Sequence, residues 1–227
     1  MEIKNGIYSI DLFTNRAYLI AEERLTLIDT GMPFQAGRIE RFITSIGRNP
    51  HDLDLIILTH HHIDHRGSAR ALKRSTGAKI AAHTDDIPYI EGTHRSFTGP
   101  YPWWVRSLLF LTELLFQRER ITVDIPLKNK EMIDNLTVIH TPGHTEGSIS
   151  LLHKKKRILF CGDTVPYTLG KLKKPNPYTK NHEEEFTSIR ELTKYDFDVV
   201  LPNDCRMVLK HGRKKLIDFC EGKKEGR

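Results

Sequence analysis

Cysteine is scarce in this 227-residue chain. There are three, Cys161, Cys205 and Cys220, an odd and widely spaced set that suggests no disulfide framework and fits a reducing cytoplasm. Small buried thiols are their expected use. The longest apolar stretch, 103–116, is broken by Arg106 and Glu113 and is too short to span a bilayer. No secretory leader is expected, because residues 2–11 move directly into strand-like alternation. Low-complexity tracts, short-period repeats and a nucleophile-elbow signature are also missing. Together these absences argue against a disulfide scaffold, a membrane-spanning protein, a repeat array and a serine hydrolase.

What is present suits one domain, 1–227, with a full-sized core. Basic residues outnumber acidic ones, 35 to 29, for a net charge of +6. Much of the excess is local, in Lys171-Leu172-Lys173-Lys174 and from Lys210 through Arg213-Lys214-Lys215 to Arg227. Such patches attract anionic substrates or nucleic acid. A solvated surface and a frayed tail are the simpler reading.

Strand-like alternation appears at 7–11, 16–21 and 25–29, and apolar residues recur at helical spacing over 34–46. A short buried strand is expected at 53–58, then a helix over 68–75 ending near Gly77, and a strand at 78–82. Thr84 is expected to cap the turn that follows. Residues 92–102 read as a loop and 103–117 as an amphipathic helix. Strands follow at 136–139, 148–153 and 157–160. A Pro- and Lys-rich excursion, 166–177, precedes a helix whose start carries the capping-box pair Asn181 and Glu184. A last strand at 199–201 and a helix at 210–219 complete the pattern. Strands with helices between them suggest two packed sheets with helices outside.

The most informative segment is Thr59-His60-His61-His62-Ile63-Asp64-His65, which follows the strand at 53–58. A buried strand delivers four ligand-type side chains, His60, His62, Asp64 and His65, into a small volume. Imidazole nitrogen and carboxylate oxygen together suit zinc, iron or manganese. His61 lies between two of them and is expected to point the other way. Downstream, His144 in Thr141-Pro142-Gly143-His144-Thr145 and Asp163 in Cys161-Gly162-Asp163-Thr164 each follow a strand beside a glycine. Such a glycine lets the backbone turn sharply and approach a ligand.

On these residues, together with Leu27-Ile28-Asp29-Thr30-Gly31, His83 and Leu201-Pro202, the chain resembles the metallo-β-lactamase superfamily over most of its length. The resemblance implies an α/β fold, the αββα sandwich, with metals held by loops at strand ends. It implies two divalent ions, zinc first and iron or manganese as alternatives. His60, His62 and His144 would hold one ion, Asp64 and His65 the other, and Asp163 would bridge them. Asp64 and Asp163 are accordingly the expected catalytic carboxylates. Asp29 would lie beneath the site and fix a ligand histidine's tautomer. His83 matches a family position that does not bind metal.

One element departs from the family pattern. Where a histidine usually ends the site, the turn reads Leu201-Pro202-Asn203-Asp204-Cys205. Asp204 occupies the histidine's place and is the expected substitute ligand. It adds a negative charge beside the reacting water, which should raise that water's pKa and favour harder metals.

The expected activity is hydrolysis of a small thioester, ester or lactone, similar to hydroxyacylglutathione hydrolases. Few residues follow Leu201, so the helical extension that binds glutathione is not expected and glutathione is not assigned. A metal-dependent nuclease or phosphodiesterase is the second class. A basic–aromatic binding platform is missing, so nucleic acid is not the expected partner. A mononuclear iron persulfide dioxygenase is the third, and the missing histidine hurts it least. Segments 92–117 and 165–180 are expected to shape the pocket, with Tyr167, Tyr178 and Lys171 as its candidate polar groups. The Trp103-Trp104 helix is open to three uses: covering the pocket, packing in a homodimer, or touching a membrane surface.

Overall fold

Short β-branched and aliphatic runs alternate with helical stretches along the whole chain, and the structure, a computed structural model, turns each run into a strand of one of two main sheets. It describes residues 1–94, 121–165, 167–168, 171–172, 178–204 and 206–222. Two compact units divide the chain, Met1–Pro126 and Leu127–Arg227.

The first unit begins as an antiparallel meander of β1 (Glu2–Lys4), β2 (Ile7–Asp11), β3 (Arg16–Ala21) and β4 (Leu25–Ile28). The chain then switches to parallel pairing, β4 to β5 (Leu53–Ile57) and β5 to β6 (Lys79–His83), and β7 (Ile125–Leu127) ends the sheet. Parallel neighbours need crossovers, and helices supply them. Helix α1 (Ala36–Ser45) buries Ile39 and Ile43, one turn apart. After the short α2 (Ile63–Arg66), α3 (Ala69–Thr76) buries Ala69 and Leu72. These side chains share a core with Leu27, Ile56 and Ile80. Each such residue contributes roughly 1.5–3 kcal/mol when fully buried. Helix α3 stops at Gly77, whose φ of 81° is the left-handed conformation that terminates helices.

The second unit carries an antiparallel run, β8 (Met132–Ile133), β9 (Leu136–His140), β10 (Ile149–His153) and β11 (Ile158–Gly162). A small separate hairpin, β12 (Tyr167–Thr168) with β13 (Lys171–Leu172), follows. Helix α5 (His182–Leu192; α4 is the short turn Ile87–Ile90) leads back to β14 (Val199–Pro202), parallel to β11. Helix α6 (Gly212–Cys220) closes the unit. Ile189 and Leu192 of α5 and Leu216 of α6 pack with Leu159, Phe197 and Val200.

Boundaries shift for identifiable reasons. Helix α1 starts two residues later than its apolar periodicity suggests. Phe34 has a φ of 71°, and Ser68 holds the loop by accepting from Gln35 N–H at 2.8 Å and donating to Met32 O at 2.7 Å. Asp29 leaves β4 at a φ of 59°, and Arg157 delays β11 at 56°. At α5 only half of the expected capping box forms at the backbone: Asn181 accepts from Glu184 N–H at 3.2 Å. Thr84 caps nothing; its hydroxyl reaches the Asp85 carboxylate, and Asp86 is the N-cap of α4. The expected helix 103–117 and residues 95–102 of the expected loop 92–102 lie outside the described residues, as does Cys205. Among the described residues Cys161, which is buried, and Cys220 are not in a disulfide.

Candidate metal centre

In the first unit the candidate residues sit at the C-terminal ends of the parallel strands, where ligands of α/β sheets gather. Asp29 follows β4, the segment Thr59–His65 follows β5, and His83 ends β6. His62 is the N-cap of α2, so Asp64 and His65 fall in that helix's single turn. The His60 and His62 rings meet edge to face with centroids 4.8 Å apart, and His60 and His65 lie 4.0 Å apart. His65 Nε2 is 3.7 Å from Asp64 Oδ2. His60 and His65 are buried, while His62 and Asp64 are half-buried. Such a spread gives an ion a dry back and an open front.

Hydrogen bonds behind these rings decide which nitrogen faces the site. Asp29, fully buried, accepts from Thr59 N–H at 2.8 Å, from the Thr59 hydroxyl at 2.7 Å and from His65 Nδ1 at 2.9 Å. A carboxylate only accepts, so His65 carries its proton on Nδ1 and presents a lone pair at Nε2. Thr59 spends its one hydroxyl proton on Asp29, so it accepts from His60 Nδ1 at 3.1 Å. His60 thus presents Nε2 as well. The left-handed backbone of Asp29 is a cost retained where this network fixes it.

His61 is built into different surroundings. Its ring stacks on Tyr89 with centroids 4.5 Å apart, and its Nδ1 is 3.2 Å from Asp86 Oδ2. Asp86 also accepts its backbone N–H at 2.8 Å, and Arg66 donates to its carbonyl at 2.7 Å. β5 ends at Ile57, so this divergence comes from the turn rather than from strand alternation. Gly67 lets the turn close: a Cβ there would lie 2.4 Å from Pro33 N.

The second unit repeats the arrangement. β9, β11 and β14 run the same way, and His144, Asp163 and Asp204 follow their ends. His144 Nε2 lies 3.5 Å from Asp163 Oδ2, and both residues are buried. His144 Nδ1 is 3.1 Å from Thr179 Oγ1, whose hydroxyl donates to Glu185 Oε1 at 3.0 Å. Asp204 is exposed, and its neighbour Asn203 is held by its N–H on Gly162 O at 3.2 Å. Burial pushes the Glu185 carboxyl up to about 8 against the lowering effect of the Thr179 hydrogen bond, and the Asp163 charge adds to the rise.

The donor set fits a divalent ion. His60, His65 and His144 each have Nδ1 engaged by an oxygen behind the ring, and carboxylates stand beside two of the Nε2 atoms. The first unit thus brings His60, His62, Asp64 and His65 together, and the second brings His144 beside Asp163, with Asp204 at the end of the strand next to the one that leads to Asp163. The candidate pocket groups fare differently. Tyr178 is exposed, and the side chains of Tyr167 and Lys171 lie outside the described residues. So does most of the segment 92–117. Thr59, Asp86, Thr179 and Glu185 were not singled out by sequence reasoning. Thr59 borders the histidine cluster and could have been found; Glu185 is one of three consecutive glutamates with nothing to distinguish it.

Comparison with known proteins agrees with this geometry. The pattern of the metallo-beta-lactamase superfamily matches residues 10–203, and the chain belongs to that superfamily. A probable metallo-hydrolase of Bacillus subtilis, YflN, is 28% identical over 174 residues, which are 72% of this chain and 66% of that protein. The hydroxyacylglutathione hydrolase GloC of Haemophilus influenzae is 29% identical over 149 residues, 63% of this chain and 62% of that protein. The matched part of the chain therefore spans somewhat less than two thirds of each relative's length. Among solved structures, the class B3 di-zinc metallo-beta-lactamase LRA-12 from an Alaskan soil metagenome superposes with a TM-score of 0.72 at 21% identity. That match covers 98% of this chain and 90% of the other. The expected metallo-β-lactamase fold, an αββα sandwich, is borne out. Among the described residues no helix is long and apolar enough to cross a membrane.

Proposed function

We propose that this chain is a metal-dependent hydrolase that opens a small thioester, ester or lactone. The observation that carries the reading is the set of imidazoles locked through Nδ1, each presenting Nε2 as a donor. In this reading His60, His62 and His144 would hold one divalent ion and Asp64, His65 and Asp204 the second, with Asp163 expected to be shared between them. The division follows the family's pattern, and the similarity to a di-zinc enzyme supports two ions, with zinc first and iron or manganese as alternatives. The family match runs across both compact units, which supports treating 1–227 as one functional domain with pocket-shaping insertions near 92–117 and 165–180. The sparse, widely spaced cysteines of the sequence favour a cytoplasmic setting.

Bound divalent ions would acidify a water and polarise the substrate carbonyl. The protein's own residues do the rest. Asp29 and Thr59 hold two imidazoles in one tautomer, so no ring must flip before reaction. Asp64 places negative charge beside His65 and Asp163 places it beside His144, charge that would help orient a reacting water. The buried rings of His60, His65 and His144 keep bulk water off the back of the site.

A substrate panel tests the reading. Metal-loaded protein should hydrolyse an acyl thioester or a lactone faster than a phosphodiester. A phosphodiesterase rate that dominates the panel and disappears in Asp163→Ala would replace the proposal with a nuclease.

A further inference from the structure

Behind His144 stands a fully buried carboxyl, Glu185, in the first turns of α5. We propose that Glu185, acting through the Thr179 hydroxyl, is a positioning residue that locks His144 in the tautomer with its proton on Nδ1 and its lone pair on Nε2. The proposal rests on the metal-site reading for its purpose, though not for its geometry.

Proton accounting gives the direction. Thr179 has one hydroxyl proton and donates it to Glu185 Oε1 at 3.0 Å. Its remaining lone pairs face His144 Nδ1 at 3.1 Å, so that nitrogen must be the donor. The other carboxyl oxygen, Oε2, is buried and has no hydrogen-bond partner among the described residues. A proton on Oε2 leaves Oε1 accepting, so the relay keeps this direction in the charged form and in the neutral form protonated on that oxygen. Removing the accepting oxygen reverses it. The Thr179 proton then turns to His144 Nδ1, the imidazole must carry its hydrogen on Nε2, and that nitrogen no longer ligates.

The backbone holds the three groups in place. Gly143 has a φ of 128°, and a Cβ there would lie 2.2 Å from Glu185 N. Only glycine lets the His144 turn come so near α5. Asn181 N–H donates to Gly143 O at 2.8 Å, Lys180 N–H to His144 O at 3.2 Å, and the Ser188 hydroxyl to Pro142 O at 2.7 Å. Helix α5 is thus stitched to the ligand turn on both sides of the relay.

The test uses the full chain and four variants: Thr179→Val, Thr179→Ser, Glu185→Leu and Glu185→Gln. Long-range proton–nitrogen NMR on ¹⁵N-histidine protein reads the His144 tautomer directly, with His144→Ala supplying the assignment. Zinc affinity is measured by chelator competition. Wild type, Thr179→Ser and Glu185→Gln should keep the Nδ1–H tautomer and bind zinc within about threefold of one another. Thr179→Val and Glu185→Leu should lose that tautomer and weaken zinc roughly ten- to hundredfold. An unchanged tautomer in Glu185→Leu overturns the relay, as does Glu185→Gln behaving like Glu185→Leu. If wild type binds no zinc, the metal reading fails by itself, and the tautomer of metal-free His144 still decides the relay.

Discussion

Asp29 Oδ2 lies 2.9 Å from His65 Nδ1 with both side chains fully buried. The same carboxylate takes two hydrogen bonds from Thr59, which in turn sets His60. One residue at the end of β4 therefore orients two candidate ligands on the turn after β5. Asp29→Ala should weaken metal binding roughly ten- to hundredfold. It should also destabilise the fold by roughly 3 kcal/mol, because three buried donors lose their acceptor. Chelator competition and urea denaturation measure the two effects. Unchanged metal affinity in a folded Asp29→Ala protein contradicts the orienting role.

Glu185 makes stability depend on pH. Its folded-state value of about 8 lies above its ordinary 4.5, chiefly because of burial. As pH rises, the unfolded chain gives up this proton first, so the group's contribution is fully present below about pH 4.5 and is lost progressively up to about 8. Glu185→Gln escapes that loss. In chelated protein, the Tm of Glu185→Gln minus that of wild type should climb between about pH 5 and 8 and then level off. A difference that stays flat across the range would show that Glu185 is not held neutral by burial.

Asp204 follows β14, the parallel neighbour of the strand that leads to Asp163. If Asp204 is the ligand proposed above, replacing it by histidine would remove one negative charge beside the reacting water. Asp204→His should move the rising limb of the pH–rate profile to lower pH, by on the order of one unit, and shift metal preference toward zinc. Asp204→Ala should lose the second ion first and keep the first. An Asp204→Ala protein that retains both ions at wild-type affinity contradicts a ligand role.

Much of this was legible in the chain. Strands β2 and β3 match their expected bounds, because short apolar runs bounded by polar turn residues mark strands even where both faces are buried, as over 17–20 of β3. The ligand candidates were legible because Thr59–His65, Gly143-His144 and Gly162-Asp163 pair ligand chemistry with strand ends. The supporting groups were not. Thr179 and Glu185 reach His144 across 35 residues and one helical turn, a relation without local signature. The left-handed turns at Asp29 and Phe34 were hidden for a related reason. Tertiary hydrogen bonds, from Asp29 N–H to Ile57 O and through Ser68, hold residues that propensity would leave in strand or helix.

The central claim is that hydrolysis depends on metal held by these side chains. Elemental analysis of purified protein, coupled to a thioester assay before and after chelation, tests it most directly. The account predicts close to two divalent ions per chain, activity lost on chelation and restored by added metal, and a folded His62→Ala variant depleted of both metal and activity. Full activity in protein shown by the same analysis to be metal-free would contradict it.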